Sequence, residues 1–227
     1  MTALVLCWLL PLVLVWRVGE LGSPAGAAAP VAQLPALVRV AHVAPGALPI
    51  EVFVDGQLAA QGLPFGEVSG YLPVSPGVRA LTARTDDAAA DALLVEAEIT
   101  LAPGGLYTVL VLAVTPGEPL LVLEDVLTGP PDAAQVRFVH ASPNAPPVDV
   151  AVPGLPPLFA NVAFRTVTPH VEIQPGTITV EALATGTTQP VTDIPSIHLM
   201  PGGSYTLVAI GLVGAAPPPG ILTLAGS

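Results

Sequence analysis

The chain is written twice. Residues 38–56 read VRVAHVAPGALPIEVFVDG, and residues 136–154 read VRFVHASPNAPPVDVAVPG. The offset is 98 throughout this block, pairing Arg39 with Arg137, His42 with His140 and Glu51 with Asp149. Phe65 and Val68 recur as Phe164 and Val167, and Pro76-Gly77 as Pro175-Gly176. The turn Pro103-Gly104-Gly105-Leu106-Tyr107-Thr108 returns as Pro201-Gly202-Gly203-Ser204-Tyr205-Thr206. Solenoid repeats have periods of roughly 20–50 residues, so this repeat is too long for one. It has the size of a whole sandwich domain, about 100 residues. Whatever the chain folds into must therefore close within one copy, twice.

Composition then selects the class. Among 227 residues there are 28 Pro and 22 Gly. Pro removes a backbone donor and Gly costs backbone entropy, so long helices are excluded. With 52% hydrophobic and only 10% charged residues, disorder is excluded as well. Short strands joined by Pro/Gly turns remain. Leu93, Val95, Ala97, Ile99 and Leu101 alternate with more polar neighbours, which predicts a strand with one wet face. Residues 107–114 are apolar on both faces except for Thr108, which predicts a strand covered on both sides. Pro-Gly pairs suit type II turns, where Gly accepts positive φ. The expected fold is all-β: two tandem immunoglobulin-like two-sheet sandwiches of seven or eight strands each, with a small closed barrel as the alternative. The copies are expected at 36–127 and 135–227, each able to fold alone, with a Pro-rich linker at 128–134 that restricts their arrangement.

The first 29 residues read as an address, a signal peptide or an N-terminal anchor. Residues 3–15, ALVLCWLLPLVLV, carry no charge and lead into the small-residue stretch Ser23-Pro24-Ala25-Gly26-Ala27-Ala28-Ala29. That order matches an apolar signal core followed by a cleavage region, with a cut near Ala27. Cys7, Trp8 and Trp16 all lie in this segment, so a cleaved chain would have neither Cys nor Trp. Export without disulfides leaves stability to the cores. The expected location is extracytoplasmic, secreted or at the cell surface. The alternative is membrane anchoring through the uncleaved segment.

All six basic residues are Arg, against 17 Asp and Glu, giving a net charge of −11. A polyanion would be repelled, and no basic stripe offsets this, so nucleic acid is excluded as a partner.

Several of these residues carry a family resemblance. The HASPNAPPVDV block at 140–150, its weaker copy HVAPGALPIEV at 42–52, the FGEVSGY stretch at 65–71 and the two Pro-Gly-Gly-x-Tyr-Thr turns resemble the bacterial domain of unknown function 4397. The resemblance covers both copies, roughly residues 37–224. It implies tandem, exported, immunoglobulin-like β domains and no established activity. The first copy departs from the pattern with Val43-Ala44 where the second has Ala141-Ser142. The second lacks the Gly-x-Val-Ser-Gly-Tyr element.

Six side chains are candidates for loop or ligand contacts: His42, Glu51, His140, Ser142, Asn144 and Asp149. Alternation places His42 with Val38 and Val40, and His140 with Val136 and Phe138, on the apolar face near a strand end. There each is expected to donate to a loop carbonyl. Arg39 with Glu51, and Arg137 with Asp149, are expected to form salt bridges on the non-core face, worth ~0–1 kcal/mol if exposed. Ser142 lacks a nucleophile elbow, and its counterpart is Ala44. Asn144 is likewise replaced by Gly46. Asp86, Asp87 and Asp91 form an acidic turn without EF-hand spacing, read as a solvated loop. No metal, catalytic set or cofactor is expected. The reading is a non-catalytic surface or envelope module, structural or adhesive, contacting a protein or envelope component. The alternative is a small-ligand or ion-binding accessory domain using loops 44–49 and 142–147.

Overall fold

A computed structural model describes residues 33–87, 93–112 and 119–226. The signal segment at 1–29, Asp91 and the last two positions of the 107–114 run lie outside the described residues. Described residues from Gln33 onward form one compact unit built from strands alone.

The first copy has eight strands: β1 (Ala36–His42), β2 (Ile50–Val54), β3 (Gln57–Leu63), β4 (Leu72–Val74), β5 (Gly77–Thr85), β6 (Leu93–Leu101), β7 (Leu106–Val111) and β8 (Leu120–Glu124). The second repeats them as β9 (Ala134–His140), β10 (Val148–Ala151), β11 (Pro157–Val162), β12 (Val171–Ile173), β13 (Gly176–Ala184), β14 (Pro190–Leu199), β15 (Ser204–Ile210) and β16 (Gly220–Ala225). The first copy forms two four-stranded sheets, β4-β1-β7-β8 and β3-β2-β5-β6. The second forms β12-β9-β15-β16 and β11-β10-β13-β14, the same order shifted by eight. Within each inner sheet the central pair is parallel, β1 with β7 and β9 with β15. An immunoglobulin constant domain orders its sheets ABED and CFG, with the first strand beside the second. Here β1 leaves β2 and joins the opposite sheet, between β4 and β7.

Each copy closes its own core between its two sheets. Val38, Val40, Val52, Leu81, Ile99 and Val109 meet in the first, and Val136, Phe138, Val150, Val180, Leu199 and Leu207 in the second. A third core joins the copies. Ala41, Val43, Leu110, Leu112 and Leu123 pool with Val139, Ala141, Val208, Ile210 and Leu224. The inner sheets thus pack back to back, giving four sheet layers. This is why β7 and β15 are buried along almost their whole length: one face meets the outer sheet and the other meets the second copy.

The segment between the copies is stitched down. The Gly129 amide donates to Gly202 O at 2.7 Å, and Thr128 bridges to Gly203. The repeated Pro-Gly-Gly-x-Tyr turn also has a physical reason. Tyr107 and Tyr205 accept hydrogen bonds at their hydroxyls from the amides of Ala102 and Met200, at 3.0 and 2.9 Å. A Cβ at Gly105 or Gly203 would lie 2.5 or 2.6 Å from the Tyr ring, so only Gly fits beneath it.

Candidate functional site

The strands of both inner sheets run the same way. Gly66, whose amide donates to His42 O, approaches Ile210 at the end of β15. Arg165, whose amide donates to His140 O, reaches across with Nη2 to Leu120 O at 3.0 Å, at the start of β8. Both repeated loops, 44–49 and 142–147, therefore emerge at one end of the body. The linker lies at the other end.

The histidines hold these loops from beneath. His42 and His140 are both 0% exposed. Nε2 of His42 donates to Leu48 O at 3.2 Å, and Nδ1 accepts from the Ala44 amide at 3.3 Å. His140 repeats this with Pro146 O at 3.1 Å and the Ser142 amide at 3.4 Å. Donating at Nε2 and accepting at Nδ1 is the pattern of a neutral imidazole. Burial holds both below the ordinary imidazole range, while the hydrogen bond to the loop carbonyl pulls the other way. Phe65 and Phe164 meet the two rings edge-on at 6.1 and 6.2 Å.

Ser142 and Asn144 tie the second loop to its neighbour. Ser142 Oγ donates to Gly211 O at 2.7 Å. Asn144 donates to Val213 O at 3.0 Å and accepts from the Val213 amide at 2.9 Å. Pro146, Pro147, Leu48 and Pro49 remain on the outside of the two loops. An open depression of ≈ 450 Å³ lies against the first loop, lined by residues 44–48, Thr85 and Leu94.

The expected pairing of Arg39 with Glu51 and of Arg137 with Asp149 is corrected by the topology. Strands β1 and β2 belong to different sheets, as do β9 and β10, so their non-core faces point to opposite sides of the sandwich. Glu51 stands opposite Arg84 in the β2–β5 register. Asp149 accepts from the amides of Asn161 and Gly186 and from Thr185 Oγ1, at 2.7, 3.1 and 3.2 Å. These donors, the two amides foremost, hold its carboxyl below the usual carboxylate range.

The two arginines instead converge between the copies on Asp125, whose side chain is 4% exposed. Arg39 lies 3.5 Å and Arg137 3.2 Å from its carboxylate. Each Nε donates to a Thr of its own copy, Thr108 or Thr206, at 2.8 Å. Thr108 and Tyr71 donate to Asp125 Oδ2 at 2.5 and 2.7 Å, and Arg39 stacks on the Tyr71 ring at 4.6 Å. Burial, then the neighbouring Asp125, pushes the Tyr71 phenol above its ordinary range. Sequence reasoning missed this cluster. Thr108 and Thr206 were its visible signal, polar residues kept in both copies on otherwise apolar strands. Asp125 had none, because its counterpart is Gly226.

Among the described residues, no group of three or more His, Cys, Asp or Glu is placed to share a metal ion. The polar side chains of His42, His140, Ser142 and Asn144 serve the loops themselves.

A family model described as domain of unknown function (DUF4397) matches residues 36–151, taking in β1 to β10. No curated protein matches the chain.

Proposed function

We propose, from the premise that the chain belongs to the family described as domain of unknown function (DUF4397), that it is a non-catalytic extracytoplasmic module. Both copies are read as domains of this kind, immunoglobulin-like in the broad sense of a two-sheet β-sandwich. The module presents its two His-anchored loops, side by side at one end, to a protein or envelope component. The observation that carries the reading is the use of polar groups at that end. His42, His140, Ser142 and Asn144 all spend hydrogen bonds on loop backbone. The exposed residues of the two loops are Gly46, Leu48, Pro49, Asn144, Pro146 and Pro147, apolar or Pro in the main. Such a loop is stiff before it binds, which lowers the entropy cost of contact. The location rests on the apolar N-terminal segment followed by small residues.

The test is position-resolved crosslinking in the source cells, together with fractionation. A photoreactive residue at Leu48 or Pro146 should capture a discrete partner in the extracytoplasmic fraction. The same probe at Asp132 or Met200, at the opposite end, should not. Equal capture from both ends, or a purely cytoplasmic chain, would contradict the reading. So would a hydrolytic rate lost in His42→Ala/His140→Ala without loss of stability.

A further inference from the structure

We propose that the inner sheet of each copy is a self-complementary two-fold pairing surface whose occupant is another copy of the same domain, supplied here by the other half of the chain. The shared core is built from equivalent positions: Ala41 and Val139, Leu110 and Val208, Leu112 and Ile210. The polar contacts are reciprocal too. Arg39 Nη1 reaches Ala225 O of the second copy at 3.4 Å, and Arg137 Nη1 reaches Glu124 O of the first at 2.9 Å. Ala225 and Glu124 end the equivalent strands β16 and β8. When residue i meets j and the equivalent of j meets the equivalent of i, the interface is isologous, as in a two-fold homodimer. Its axis runs along the strands, since like ends of the copies meet.

The symmetry is not complete: Arg165 reaches Leu120 O of the first copy, whereas its counterpart Gly66 has no side chain to reciprocate, and at Asp125 the linker explains the difference. Asp125 is matched by Gly226, and a side chain at Gly226 would run into Leu127, with its Cβ 2.7 Å from Leu127 Cα. Leu127 is the chain leaving β8 toward the second copy. This second asymmetry sits where one polypeptide has to run between the copies, and the Arg–carbonyl pair and the shared core keep the two-fold pattern.

The experiment uses the full chain with a protease site inserted between the exposed residues Pro131 and Asp132, cut after folding. The nicked halves should stay together as one species in native mass spectrometry at micromolar concentration. Leu110→Asp and Val208→Asp each place an unpaired charge in the shared core and should weaken this association at least about 100-fold. An isologous surface requires the two effects to agree within about threefold. The milder pair Leu110→Ser and Val208→Ser decides the matter if an Asp variant fails to fold. Halves that separate on nicking into folded monomers would overturn the proposal. So would sensitivity to only one member of an equivalent pair.

Discussion

His42 and His140 act as neutral posts, each accepting one loop amide and donating to one loop carbonyl. Their folded pKa values lie below that of the unfolded chain. The unfolded state therefore binds protons first as pH falls. Stability from this source is complete above about pH 6.5 and is lost as pH drops below it toward the folded values. Each histidine contributes a slope of at most ~1.4 kcal/mol per pH unit. Urea unfolding at pH 7 and pH 5.5 should show this loss, and His42→Gln/His140→Gln should flatten it. An unchanged slope would mean that the histidines are not neutral posts. The Asp125 cluster gives a second residue-scale expectation. Asp125→Asn leaves two guanidinium groups buried without their counter-charge and should cost about 3–5 kcal/mol. A loss under 1 kcal/mol would show that the cluster is open to water. The histidines' role was readable from alternation beside Val40 and Phe138. The Asp125 cluster was not, because it depends on which sheet each strand joins and on a residue that only one copy has.

At the scale of elements, local pattern carried much of the reading. The alternation over Leu93–Leu101 became β6, with Val95, Ile99 and Leu101 buried. The two-sided apolar run from Tyr107 became β7, and its second cover is the other copy. Pairing between distant strands was not legible, since periodicity fixes which face is apolar and says nothing of which sheet a strand enters. That is why alternation alone sets Arg39 against Glu51. Turn chemistry offers a controlled comparison. Gly211 and Gly186 both have positive φ, 87° and 75°. A Cβ at Gly186 meets nothing, whereas one at Gly211 runs into the Pro218 carbonyl. Gly186→Ala should cost about 1–2 kcal/mol, the penalty of the left-handed region alone. Gly211→Ala should cost clearly more and loosen the loop that Ser142 and Asn144 hold. Equal melting temperatures for the two variants would contradict the close approach of the Pro218 carbonyl to Gly211.

At the scale of the whole molecule, the two copies form one body with a common loop end. The duplication announced two sandwiches, and each does have its own core. What the repeat could not show is the third core, because a covered face and a fully buried strand look alike in sequence. Separate unfolding of either copy would expose Leu110, Leu112, Val208 and Ile210 to water and leave Arg137 without Asp125. Burial at this scale couples neighbouring units. The most direct measurement is native-state hydrogen exchange of the whole chain in rising denaturant. It would follow the amides of Val52 and Val109 in the first copy and of Val150 and Leu207 in the second. All four should merge into one global opening with the same free energy and the same denaturant dependence. Two openings, each with about half of that dependence and one copy exchanging well before the other, would contradict it.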